Sequence, residues 1–165
     1  MSVPRAKKAK TNKPTDKRVS YQRRKIVEAS RLAVAEAVWF GYNYYGYRDK
    51  RIRNLVHSYC DEMSSVYARD TFLDIVAKEA EQLIDTEILS RAFKAIRDEW
   101  RRNSVILTLS VMVKTMKKFK FSRLRMTQFV KCCFYILKEN DVNGFVDRVK
   151  EATGCDVARQ VAWFG

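Results

Sequence analysis

From Lys117 to Arg125 the chain reads KKFKFSRLR. Lys117, Lys118, Lys120, Arg123 and Arg125 are cationic, and Phe119, Phe121 and Leu124 are set among them. Five cations in nine residues can neutralise successive phosphates, and an aromatic face between them can stack on a base, a contact worth ~1–3 kcal/mol. The plainer alternative is that the phenylalanines pack inward and the cations are ordinary solvated charge. Binding is the preferred reading, because the 39 residues from Trp100 to Lys138 hold ten Lys/Arg and no acid.

A second combination of the same chemistry lies in Gly41–Arg53, GYNYYGYRDKRIR. Tyr42, Tyr44, Tyr45 and Tyr47 sit in a turn expected between Gly41 and Gly46, followed by Arg48, Lys50, Arg51 and Arg53. Rings and guanidinium groups presented together form a platform for an unstacked base. Tyrosine also roofs a core well with its hydroxyl in water, and tyrosine-rich loops serve protein recognition.

The third is the N-terminal arm, with Lys7, Lys8, Lys10, Lys13, Lys17, Arg18, Arg23, Arg24 and Lys25. A flexible arm of this charge can track phosphates or enter a groove, and a solubilising tail is the bland alternative. Its composition also suits nuclear import if the source is eukaryotic or a nuclear-replicating virus. A cytoplasmic or nucleoid-associated protein is expected otherwise.

Charge is segregated along the chain. Met1–Lys25 carries +9 and Trp100–Lys138 carries +10, whereas Asp61–Glu99 carries −5, within a total of +14. Like-signed blocks repel themselves, so they point to a polyanion that neutralises them. The acidic stretch is expected to face the basic one inside the protein or to exclude wrong ligands.

Catalytic chemistry is sparse, and no enzyme and no cofactor are expected. The single histidine, His57, precedes Cys60 by one helical turn, but Cys132, Cys133 and Cys155 lack the paired spacing of a zinc site. No glycine-rich phosphate loop and no two-metal carboxylate cluster is present. A helix-turn-helix is conceivable around Asp85, with Arg91, Lys94, Arg97, Arg101 and Arg102 on the reading helix. Glu87, Asp98 and Glu99 on that helix, and the missing turn glycine, count against it.

The elements that position these residues read as helical. Five Gly and two Pro, both prolines in the first fourteen residues, leave the rest free of breakers. Met1–Val19 has almost nothing apolar to bury and is expected to be disordered until bound. Ser20 is the expected N-cap of a helix through Ile26, Val27, Ala33, Val34, Ala37 and Val38 to Phe40. Ile52, Leu55, Val56, Tyr59, Met63, Val66 and Tyr67 form one helical stripe. Asp70 is expected to cap a third helix through Val76, Ala80 and Ile84. Thr86 would cap a fourth with Leu89, Phe93, Ile96 and Trp100 inside.

Val105–Met116 fits a helix by its spacing at 105, 109, 112 and 116, and a strand by its alternation at 107, 109, 111 and 113. Helix is chosen, since a lone strand would leave its backbone groups unpaired. Ser122 should cap the next helix, a short one should stop at Gly154, and Asp156 should open a last turn before Trp163 and Phe164.

The expected architecture is therefore all-α, a single compact bundle of six to seven helices in residues 20–165 behind a disordered basic tail, 1–19. The expected function is nucleic-acid binding, DNA or RNA, dominated by phosphate contacts with aromatic stacking and modest sequence preference. The alternative is a helical protein-interaction module, using the Tyr42–Tyr47 turn or Trp163/Phe164. No apolar run approaches the ~20 residues of a spanning helix, so no membrane partner is expected. No apolar region follows the basic N-terminus, so no secretory signal is expected, and the cysteines are expected as thiols.

Overall fold

In the computed structural model the backbone is described for residues 2–68, 73–89, 91 and 96–161. Side chains are described from residue 21 onward within these, residues 67 and 68 excepted. Seven helices are defined among them: α1 (Ser2–Tyr45), α2 (Asp49–Ala68), α3 (Leu73–Glu81), α4 (Glu99–Lys118), α5 (Arg123–Glu139), α6 (Val142–Thr153) and α7 (Val157–Gln160). They form an all-α bundle, and one core cluster draws buried side chains from all seven.

Helix α4 lies at its centre. Val105, Ile106, Leu109, Val111, Met112, Val113 and Met116 are all buried, so the helix is apolar on every side rather than along one stripe. That is why its sequence alternates as plausibly as a strand. Ser110, Thr115 and Thr108 are buried too, and their hydroxyls donate to the carbonyls of Ile106, Val111 and Val105 at 2.6, 3.0 and 3.1 Å. Each polar group is satisfied within its own helix, so no partner helix has to supply an acceptor.

The α2 stripe is buried as expected, from Ile52 to Val66, and the Tyr59 hydroxyl meets Ser30 of α1 at 2.8 Å inside the core. Ser122 caps α5 by accepting from Arg125 N–H at 3.2 Å, Gly154 ends α6 at φ 76°, and Asp156 caps α7. No helix among the described residues is long and apolar enough to cross a membrane.

Several boundaries differ from expectation. Helix α3 ends at Glu81, short of Ile84. Helix α1 is continuous through Ser20, which is therefore not its N-cap; the backbone of residues 2–19 continues the same helix. It also runs past Gly41 to Tyr45, so Tyr42, Tyr44 and Tyr45 occupy its last turn. The reversal is confined to the residues after it, where Gly46 takes φ 67°. Trp100 belongs to α4, because Asp98 accepts the Trp100 and Arg101 N–H groups and starts a new helix there. Trp100 is consequently 37% exposed rather than inside. Asp70, Phe93, Trp163, Phe164 and the side chain of Tyr67 lie outside the described residues.

Candidate nucleic-acid interface

The C-terminal turn of α1 and the α4–α5 junction, more than seventy residues apart in sequence, meet at one edge. Gly41 makes the meeting possible. A Cβ there would stand 2.6 Å from Tyr47 Cδ2, so only glycine lets the Tyr47 ring lie against the helix. The Tyr47 N–H returns to the Gly41 carbonyl at 2.9 Å, fixing the reversal. From there the Tyr47 hydroxyl donates to the Phe119 carbonyl at 3.2 Å. The Tyr45 hydroxyl accepts the Ser122 N–H at 2.9 Å.

The rings interlock. Tyr45 and Phe121 have centroids 4.5 Å apart, Tyr47 and Phe121 5.8 Å, and Tyr47 and Phe119 6.4 Å. Three arginines overlie rings at this edge, Arg51 on the interlocked group and the other two on its neighbours Tyr44 and Tyr42. Arg125 lies 3.6 Å from the Tyr44 centroid and Arg48 lies 4.1 Å from that of Tyr42. Arg51 is 5.3 Å from Tyr47 and 5.2 Å from Phe119. Guanidinium planes held over rings are ordered without a carboxylate, and so keep their charge for an external anion.

Burial divides the expected residues. Phe121 is only 2% exposed and Tyr47 is buried, so these rings hold the edge together and do not offer a face to a base. Phe119 is half-buried. Tyr44 and Tyr45 remain open at 50% and 37%. Lys117, Lys120, Arg48, Arg51 and Arg53 are exposed, with Lys120 in the left-handed region at φ 64°.

Part of the basic block is committed within the protein. Lys118 pairs with Glu62 at 3.2 Å, and Lys114 pairs with Glu79 at 2.8 Å. Arg123 bonds Asp85 at 2.6 Å and the carbonyls of Gln82 and Ile84 at 2.9 and 3.1 Å. These three bridges join the acidic Asp61–Glu99 segment to the basic one, as its charge suggests. Arg123 is thus a clamp on the chain after α3, although half of its side chain stays accessible.

The arm is rooted at the far end. Tyr21 donates to Asp98 at 2.7 Å, and Arg24 and Lys25 lie 5.6 and 5.3 Å from the Tyr21 centroid. Arg23 beside them is exposed. At 1.5 Å per residue, Tyr21 stands about 36 Å from Tyr45 along α1, so Arg23, Arg24 and Lys25 do not share the tyrosine edge. The side chains of Lys7, Lys8 and Lys10 lie outside the described residues.

The other candidates disperse. His57 is exposed in an open groove with Arg53, Asp61, Glu62 and Lys118, whereas Cys60 is buried in the core, so the pair does not converge on a metal. The reading helix of a helix-turn-helix does not form as a unit. Arg97 is in an irregular segment, Arg101 and Arg102 open α4, and Lys94 is outside the described residues.

Sequence reasoning passed over Lys131, Tyr135 and Lys138 on α5, all exposed, with Tyr135 at 66%. The signal was present as a solvent-facing spacing of four and seven residues from Leu124 and Lys131. It was hidden because the same helix carries the buried Met126–Cys133 stripe.

Comparison with protein-family models, with curated proteins and with solved structures finds no match to this chain.

Proposed function

We propose that this protein binds nucleic acid, mainly through phosphates, along the edge formed by the end of α1, the start of α2 and the α4–α5 junction. One observation carries the reading: two separate cation-and-aromatic segments of the sequence come together there, with Arg125 on Tyr44 and Arg51 on Phe119. Lys117, Lys120, Arg48, Arg51 and Arg53 supply the charge, and Tyr44 and Tyr45 the open aromatic faces.

In this reading the N-terminal extension of α1, residues 2–19, whose sequence offers no apolar stripe to bury, unwinds to follow the polyanion. Extended at ~3.4 Å per residue, nineteen residues span about 65 Å, enough to return along the ~36 Å of α1 that separates root from edge.

The test is the salt dependence of binding to labelled oligonucleotides after high-salt, nuclease-treated purification. With about six phosphates neutralised, log K falls against log[salt] with slope near −5 on duplex or −4 on a single strand. A slope near zero, or no binding at physiological salt, refutes the reading and assigns the edge to a protein partner.

A further inference from the structure

The exposed face of α5 continues this edge. Leu124, Gln128, Lys131, Tyr135 and Lys138 fall at steps of four and three, which places them on one line along the helix over about 21 Å. Leu124 and Tyr135 are 62% and 66% exposed, the most open of the large apolar side chains described. Lys131 and Lys138 are exposed and meet no carboxylate among the described residues, unlike Lys114, Lys118 and Arg123. The line holds no acid before Glu139.

It joins the tyrosine edge without a gap. Arg125 follows Leu124, overlies Tyr44, and donates to Gln128 of the same line at 3.0 Å. The combined track therefore runs Tyr45, Tyr44, Arg125, Leu124, Lys131, Tyr135.

Resting on the proposed function, we infer that the ligand is a single strand, and that it lies along α5 with a base on Tyr135 and phosphates near Lys131 and Lys138. A duplex keeps its bases stacked, and can use only the cations of such a track. Open rings and an open leucine alternating with lysines are used in full only by a strand whose bases are free to leave their neighbours. Stacking tolerates any base, in keeping with modest sequence preference.

The experiment titrates the full chain against a fluorescent 20-mer of oligo(dT), the same length of oligo(rU), and a 20-base-pair duplex, at matched salt. Tyr135→Ala, Tyr135→Phe and the Lys131→Ala/Lys138→Ala double variant are compared, with circular dichroism as a check that these surface changes leave the fold intact. At least one single strand should bind tenfold or more tighter than duplex. Tyr135→Ala should weaken single-strand binding ~5- to 150-fold with an unchanged salt slope, and Tyr135→Phe should restore it. The double lysine variant should lower the slope on a single strand by about 1.4. Duplex bound as tightly as either strand, or Tyr135→Ala without effect on the single strand, overturns the inference and leaves the proposed function standing. Binding to none of the three polymers overturns the proposed function itself.

Discussion

Glu36 is a carboxylic acid in the wrong solvent. It lies in the middle of α1, 3% exposed, with Cys132 and Cys133 of α5 close enough to feel its charge. Burial pushes its carboxyl from 4.5 up to about 7. At 1.36 kcal/mol for each tenfold change in proton affinity, keeping it ionised in the folded protein costs about 3 kcal/mol.

The sign follows from the direction. Below pH 4.5 the group is protonated folded and unfolded, and costs nothing. As pH rises towards 7 the folded protein holds the proton and the unfolded chain releases it, so stability falls, and above 7 the full penalty is present. Both thiols are pushed up by burial and stay neutral across this window, so they neither add to nor mask the effect.

Glu36→Gln keeps the size and removes the titration. In urea unfolding followed by circular dichroism, the variant should match the parent within about 1 kcal/mol at pH 5, and exceed it by ~2–3 kcal/mol at pH 8. Equal stability changes at the two pH values, or a variant that loses more at pH 8 than at pH 5, would refute the assignment of a buried carboxyl with a raised pKa.

Gly41→Ala should destabilise the fold by ~1–3 kcal/mol through overpacking against Tyr47, although alanine in an ordinary helix interior stabilises by about 1 kcal/mol. In a Tyr47→Ala background the same substitution should change sign, and a double-mutant cycle of urea midpoints without coupling would contradict the close approach. Removing Met1–Val19, which carries seven Lys/Arg, should weaken binding about tenfold or more at low salt across unrelated sequences alike. A loss confined to one sequence in parallel titrations would contradict a phosphate-tracking arm.

Helices with one apolar stripe were legible from spacing alone. The α2 stripe residues Ile52, Leu55, Val56, Tyr59, Met63 and Val66 are all buried, and Ser122, Gly154 and Asp156 end or open helices where their chemistry requires. Spacing could not decide Val105–Met116, since a helix buried all round has no polar face to set its period; the lack of a ladder partner decided it. The end of α1 was misplaced because Gly41 reads as a turn residue. Its actual role, leaving room for a ring six residues later, depends on tertiary contact. For the site, residue types identified both cation-and-aromatic segments. Which rings would be used up in joining them was not legible, and Phe121 and Tyr47 became structure rather than surface. The bridges from Glu62, Glu79 and Asp85 were foreseeable only as a charge balance between segments.

The central position of α4 bears on how the chain is made. Its apolar sides are covered mainly by α1, α2 and α3, which leave the ribosome first, whereas α5 and α6, which follow it, close mainly over α1. At ~5–20 residues per second, the twenty-odd residues of α5 and the start of α6 need seconds to follow. During that interval the apolar side of α1 that α5 and α6 will cover stands open in the nascent protein. A chain ended by a stop codon near Lys118 would remain in that condition permanently, so truncated products of this protein should partition to chaperones and aggregates, whereas loss of the nineteen residues of the N-terminal arm should leave it folded.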